Sequence, residues 1–213
     1  MPNVSFDVSV SLDGYLAGPN PRLEAPLGDG GEQLHEWVTK LAAWRRPHGL
    51  EGGEEGADSA VVEESVAGVG AYVMGRGMFG GGAGAWGDEL WRGWWGDDPP
   101  FHVPVYVVTH HPREPLVMDG GTTFFFVTDG VEAAVAQAKA AAGDGRTMIG
   151  GGASVVQQAL NAGLVDEFQL HVVPVLLGGG MRLLDGIDPT LRIELDRVLD
   201  SPAVTHLRYR VLR

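Results

Sequence analysis

The sequence contains no cysteine and only two lysines, Lys40 and Lys139. Without thiols there is no disulfide scaffold, no thiol nucleophile and no zinc site built on thiolates, and the composition fits a cytoplasmic chain. Basic residues are scarce altogether: 15 Lys plus Arg stand against 28 Asp plus Glu, a formal net charge of −13 over 213 residues. Duplex binding needs a basic face to neutralise phosphates, so no nucleic-acid partner is expected. No apolar run approaches the about 18 residues of a membrane span, and the start, Met-Pro-Asn-Val-Ser-Phe-Asp, lacks the basic and apolar parts of a secretory signal, so no membrane association is expected. Internal repeats, heptads and linkers are missing too. What remains is 44% hydrophobic and 20% charged residues with 33 glycines, the composition of a folded globular protein.

Periodicity supplies the elements. Residues 3–11 place Val4, Phe6, Val8 and Val10 at period two, the pattern of a half-buried strand. A Gly-, Pro- and acid-rich excursion over about 19–56 encloses Leu34, Trp37, Val38, Leu41, Ala42 and Trp44 at near-helical spacing, which predicts a helix over 32–46, either a lid over a pocket or an interface helix. A second helix is expected over 57–68, capped by Asp58 or Ser59, running into a strand at 71–74. The segment 75–100 reads as a loop anchored by Trp86, Trp91, Trp94 and Trp95. Strands at 103–109, 122–127, 147–149 and 166–177 then alternate with helices at 131–142 and 154–162. A hairpin, 191–198 with 203–212, closes the chain at Asp200-Ser201-Pro202. The predicted fold is a single α/β domain with a mixed, mainly parallel central sheet flanked by helices and a C-terminal antiparallel hairpin. Ligand sites in such sheets follow the carboxyl ends of strands, here Met74, Thr109 and Ile149.

Two glycine clusters sit at those ends. Gly75-Arg76-Gly77-Met78-Phe79-Gly80 matches a dinucleotide fingerprint, but the glycines that follow cannot continue a helix, so a Rossmann turn is excluded. Arg76 remains, a fork able to take a phosphate bidentately or an exposed side chain in a glycine loop. Gly150-Gly151-Gly152-Ala153-Ser154 lies between a strand and a helix. Free amides and the positive end of a helix dipole meet there, an anion site or a tight structural turn. Two anion-tolerant strand ends in an acidic chain suggest a phosphorylated cofactor held from both sides.

Five segments in fixed order over nearly the whole chain carry a resemblance. They are Ser11-Leu12-Asp13-Gly14-Tyr15-Leu16-Ala17-Gly18, Val73-Met74-Gly75-Arg76, Val107-Val108-Thr109-His110-His111-Pro112-Arg113, Ile149-Gly150-Gly151-Gly152 and Pro174-Val175-Leu176-Leu177-Gly178-Gly179-Gly180. The chain resembles the dihydrofolate-reductase-like family, within it the branch containing the reductase domain of riboflavin biosynthesis. The resemblance implies a homodimeric, NADPH-dependent reductase of a small nitrogen heterocycle. It gives Arg76, with Gly75 and Gly77, to the 2′-phosphate end of the cofactor, and Thr109 and His110 to the adenine and ribose. It gives Gly151, Gly152, Ala153, Ser154 and Val155 to the pyrophosphate, beside Gly150 of the same turn, and Leu16 and Ala17 to the nicotinamide, with Ser9 beneath it. Asp13 falls near the substrate mouth. Folate enzymes of the family carry an acid early in the helix preceding Met-Gly-Arg. Asp58 is nearest, yet the register puts Ser59 there, which argues against folate. Position 78 is Met where family members often carry Thr. The zinc deaminase domain of the bifunctional riboflavin enzyme has no counterpart in a chain without cysteine.

Other residues have plainer readings. Asp13 before Gly14 also suits a turn cap. The four tryptophans suit core fill or an interface, with at most one stacking on a heterocycle. His171, inside an apolar strand, reads as a satisfied core histidine, and His110-His111 lacks a third metal ligand, so no metal is expected. The alternative function is a non-catalytic protein on the same fold that sequesters a small aromatic ligand among the tryptophans.

Overall fold

The computed structural model describes residues 3–82, 84–87 and 91–212; the loop expected over 75–100 includes 83 and 88–90, which lie outside the described residues. The strands in chain order are β1 (Val4–Ser11), β2 (Tyr15–Ala17), β3 (Val69–Gly75), β4 (Pro104–Val108), β5 (Leu116–Val117), β6 (Thr123–Val127), β7 (Arg146–Gly151), β8 (Glu167–Val173), β9 (Met181–Arg182), β10 (Arg192–Asp200) and β11 (Thr205–Leu212). The helices are α1 (Ala42–Arg45), α2 (Ala57–Val66), α3 (Arg76–Phe79), α4 (Gly130–Ala142) and α5 (Ala153–Asn161). The sheet runs β10-β11-β8-β1-β7-β3-β4-β6-β5, parallel from β8 to β6 and antiparallel at both edges. β2 and β9 form a separate two-stranded ribbon.

Period-two alternation assigns the faces. Val4, Phe6, Val8 and Val10 of β1 join the apolar faces of α4 (Val131, Ala134, Val135, Ala138) and α5 (Val155, Val156, Ala159, Leu160) in the main core. Phe6 stacks on Phe168 at 4.7 Å between ring centroids. The other face is covered in two halves. Leu34, Trp37 and Leu41 pack with Val173 and Val204; Phe79, Trp86, Trp91, Trp95 and Phe101 pack on Met74, Val105, Val107 and Phe124.

The predicted α/β fold with its terminal hairpin is the observed one. The helix expected over 32–46 is not. Gly31–Leu34 is a 3-10 turn, α1 has 4 residues and Arg46–His48 is a second 3-10 turn. Leu41 is extended (φ −78, ψ 143), because the backbone bonds sideways: Glu54 N–H donates to Lys40 O at 2.8 Å and Ala42 N–H to Glu54 O at 2.9 Å. The apolar residues that suggested a helix are buried by wrapping, and the segment covers its own sheet. The strand expected over 166–177 stops at Val173, where Pro174 has no N–H to donate. Among the described residues no helix is long and apolar enough to cross a membrane.

Candidate cofactor and substrate site

The order β1-β7-β3-β4 brings the carboxyl ends of four parallel strands side by side. β3 ends at Gly75 and β7 at Gly151, and their register shifts so that Met74 lies opposite Gly151. The two turns touch: a Cβ on Gly75 would meet Val155 Cγ2 at 3.1 Å, and one on Gly152 would lie 3.6 Å from Gly75 Cα. Gly151 (φ +143) and Gly152 (φ +85) hold backbone that side-chain-bearing residues rarely adopt. α5 starts directly after, with no side-chain cap on Gly152 and no acid in its first turn. The amides of Val155 and Val156 already donate to Gly152 O at 3.0 and 3.2 Å; those of Ala153 and Ser154, ahead of them, offer donors and a positive dipole end at this turn.

Arg76 follows β3. Its Nε donates to Gly82 O at 2.9 Å and its Nη2 to Gly81 O at 2.8 Å. The guanidinium carbon lies 3.0 Å from the ring centroid of Trp86, whose Nε1 donates to His111 O at 3.0 Å. Arg113 approaches the same ring at 4.7 Å and donates to Trp91 O. Nη1 of Arg76 and Nη2 of Arg113 are buried without a hydrogen-bond partner. Burial, then the nearby Arg113, pushes the Arg76 pKa down to about 10, and burial lowers Arg113 as well. Two partly desolvated guanidiniums with orphaned donors are poorly satisfied without an anion, since unpaired buried polar groups are costly. A phosphate-bearing ligand fits this pair together with the glycine turn. Thr109 is buried at the end of β4, its Oγ1 accepting from His111 N–H at 3.2 Å, and His110 beside it is exposed. Gly77 is exposed in α3. Met78 covers the turn, its Sδ lying 3.1 Å from where a Cβ on Gly151 would be.

The segment after β1 closes the other end. Asp13 accepts from Leu177 N–H at 3.1 Å and Gly178 N–H at 2.7 Å. The Ser11 hydroxyl, then those amides, hold its pKa at about 2 despite some desolvation. At neutral pH Asp13 is therefore an acceptor and not a proton donor. Leu16 packs on the main core, and Ala17 of β2 pairs with Met181.

Asp58 lies in the first turn of α2, its Oδ1 3.1 Å from His206 Nε2. Ser59 is buried and accepts from Ala43 N–H at 3.1 Å, so its hydroxyl is engaged by the excursion. Ser9 accepts from Trp37 Nε1 at 3.1 Å. Arg113, Asp7, His206 and Trp37 were not among the site residues expected from the sequence. Arg113 sat in a quoted motif whose basic end was the available signal, whereas Asp7, His171 and His206 come together only through strand pairing.

Burial lowers the His206 pKa from the ordinary 6.5 against the opposing hydrogen bond to Asp58, and His171 lowers it further; burial likewise lowers that of His35. Both histidines take up protons more readily once unfolded. The stability they contribute is full above pH of about 6.5 and is lost as pH falls below it. The melting temperature is expected to drop between pH about 6.5 and about 5, and less so in His35→Gln; a flat profile would contradict this.

The model of the RibD C-terminal domain matches residues 2–207. Among solved structures, a protein from Shewanella sp. PV-4 described as a riboflavin biosynthesis protein aligns with TM-score 0.63 at 23% identity, covering 100% of both chains. The Thermotoga maritima diaminohydroxyphosphoribosylaminopyrimidine deaminase/5-amino-6-(5-phosphoribosylamino)uracil reductase aligns with TM-score 0.58 at 14% identity, over 99% of this chain and 57% of that one. Dihydrofolate reductase from Enterococcus faecalis, in complex with NADP(H), aligns with TM-score 0.55 at 15% identity, over 98% and 96%. No curated protein matches the sequence.

Proposed function

Because the chain belongs to the RibD C-terminal domain family, we propose that it is an NADPH-dependent reductase of a small nitrogen heterocycle of the aminouracil class. The observation that carries the reading is the pair Arg76 and Arg113, with no carboxylate partner among the described residues and one orphaned donor each, together with the uncapped start of α5 that meets the end of β3. In a chain of net charge −13, such a locally basic, partly desolvated spot suits the phosphates of a dinucleotide. Arg76, Gly75 and Gly77 take the 2′-phosphate end, with Arg113 as second cation. Thr109 and His110 border the adenosine. Gly150, Gly151, Gly152, Ala153, Ser154 and Val155 receive the pyrophosphate. Leu16 and Ala17 flank the nicotinamide end, with Ser9 below.

When bound, the dinucleotide supplies a hydride. The protein orients the heterocycle, keeps water out, and supplies the proton that a reduced C=N or C=O must gain. Asp58 is the proton-bearing group and Asp13 the fixed acceptor. Reduction in the cytoplasm by a homodimer completes the proposal. Ile193, Leu195 and Val198 on edge strand β10 are each about half exposed, an apolar face suited to a second copy; sedimentation of a monomer at micromolar concentration would contradict the dimer. For the aromatic-sequestering alternative, Trp86, Trp91 and Trp94 would have to stack by their ring faces, since their indole N–H groups donate to backbone carbonyls.

Met78 in place of a hydroxyl makes a further expectation. Met78→Thr uncovers the glycine turn and adds a donor, and is expected to tighten NADPH binding by about 1 kcal/mol, roughly fivefold; unchanged or weaker binding would contradict this arrangement of the turn. The reading as a whole is tested by following NADPH oxidation with 5-amino-6-(5-phosphoribosylamino)uracil. Turnover supports it, and NADPH that binds without oxidation by this compound or by a panel of aminopyrimidines would overturn it.

A further inference from the structure

Four ionisable groups that the cofactor site does not use are strung across the face of the sheet opposite α4 and α5. Asp58 Oδ1 meets His206 Nε2 at 3.1 Å, His206 Nδ1 meets His171 Nδ1 at 2.6 Å, and His171 Nε2 is ion-paired with Asp7 Oδ1. β8 and β11 pair His171 directly opposite His206. Their side chains are 7% and 1% exposed, those of Asp7 and Asp58 11% and 20%. Trp37 covers the two imidazoles, its ring centroid 4.8 Å from one and 5.3 Å from the other. Beyond Asp7 the chain continues: Gln169 Nε2 donates to Asp7 Oδ2 and Arg197 Nη2 to Gln169 Oε1, both at 3.2 Å. Asp7, Gln169, Arg197 and Glu64 border a recess of about 30 Å³, room for roughly one water. Glu64 lies at the surface.

This geometry fixes a proton count. Both Nε2 atoms face carboxylates and so carry protons. The Nδ1···Nδ1 contact then holds one proton: none would set two lone pairs against each other, and two would set N–H against N–H. The pair therefore carries one excess proton between two carboxylates. An apolar cross-strand pair would fill the same space without the desolvation cost of two buried imidazoles and two partly buried carboxylates, so stability alone does not account for it.

Resting on the reductase reading above, we infer that Asp7, His171, His206 and Asp58 form a proton relay in which the two imidazoles hold one proton in reserve for Asp58. At rest the charge sits on His171 beside Asp7, and His206 is neutral with its Nε2 proton directed at Asp58. For delivery, the Nδ1 proton of His171 passes to His206 Nδ1 while the Nε2 proton of His206 passes to Asp58. Asp58 becomes a neutral acid, both imidazoles become neutral, and the Asp58–His206 contact persists with O–H as donor. Asp58 then gives its proton to the nitrogen or oxygen left electron-rich by reduction, and the relay reloads by the reverse path: water at the Asp58 carboxylate, which is 20% exposed, supplies a proton that passes to His206 Nε2 while the Nδ1 proton of His206 returns to His171. The titratable groups facing the pair are Asp7 from β1, Asp58 from α2 and His35 from the covering segment. Among the described residues these groups do not converge as a metal cage. His206, His171 and Asp7 act through Asp58 and are positioning residues.

The test uses the whole protein labelled with 15N-histidine. At neutral pH, long-range 1H–15N spectra are expected to show one excess proton shared by two imidazoles and a strongly deshielded N–H proton that disappears in His206→Gln. Two neutral rings would overturn the relay, whatever the enzyme does. The second arm measures NADPH oxidation with 5-amino-6-(5-phosphoribosylamino)uracil against pH. His206→Gln is expected to lower kcat about 10- to 100-fold and to move the alkaline limb, leaving NADPH binding unchanged. Asp7→Asn, which keeps the shape, provides the same comparison if His206→Gln does not fold and is expected to pull the alkaline limb to lower pH. An unaltered profile with intact NADPH binding would overturn the relay. Absence of NADPH binding in the wild type would instead overturn the reductase reading and leave the proton count standing.

Discussion

Arg76→Ala is expected to weaken NADPH binding by about 1.5–3 kcal/mol, roughly 10- to 160-fold, while NADH binding changes by about twofold or less. The selectivity follows from where the charge is needed. NADH lacks the 2′-phosphate, so a residue that serves that group alone is felt only by NADPH. Arg76 is already stripped of part of its water and stacked on Trp86, with Nη1 buried and unpartnered. Binding therefore adds hydrogen bonds without a full second desolvation. Arg76→Lys is expected to recover only part of the loss, because an ammonium cannot reproduce the planar fork or its stacking. Arg113→Ala is expected to act in the same direction with a smaller effect, since its guanidinium lies farther from the ring at 4.7 Å. Calorimetric titration measures each, and equal losses for NADPH and NADH would show that Arg76 acts on the fold of the glycine loop instead.

Gly152→Val is expected to abolish measurable NADPH binding and to cost about 1–3 kcal/mol of stability, because a β-branched residue is forced to positive φ. At φ +85 the new Cβ stands 3.6 Å from Gly75 Cα, where the ends of β3 and β7 face each other. It also lies at the start of α5, where the free amides point, and a side chain there keeps an anion from the backbone. Gly163→Val separates the two effects. That glycine also has positive φ (+65) but nothing within 4 Å of its would-be Cβ. It should lose stability while retaining NADPH binding. Retention of binding by Gly152→Val would remove the α5 turn from the cofactor site.

The sequence was legible where one physical signal dominated. Val4, Phe6, Val8 and Val10 alternate because β1 buries one face against α4 and α5, and that strand, both helices and the terminal hairpin follow from periodicity alone. β2 and β9, of 3 and 2 residues, are too short to carry a period. The excursion misled for a different reason. Leu34, Trp37 and Leu41 have helical spacing because they cover a sheet face, but the backbone of Lys40 and Ala42 bonds to Glu54, a partner that no local pattern reveals. The glycine turn and Arg76 were visible as residue types at strand ends. The pairing of Arg76 with Arg113 over Trp86 required tertiary contacts between three separate segments. His171 read as a core histidine, which its burial matches; its link to Asp7 and His206 exists only because β1, β8 and β11 are neighbours in the sheet.

The central claim is that the two arginines and the α5 turn form an NADPH site. It is tested most directly by titrating the purified protein with NADPH and, separately, with NADH, following heat or cofactor fluorescence. The account predicts saturable binding of NADPH at one site per chain, at least about tenfold tighter than NADH. Binding of neither nucleotide, or of both equally, would contradict it.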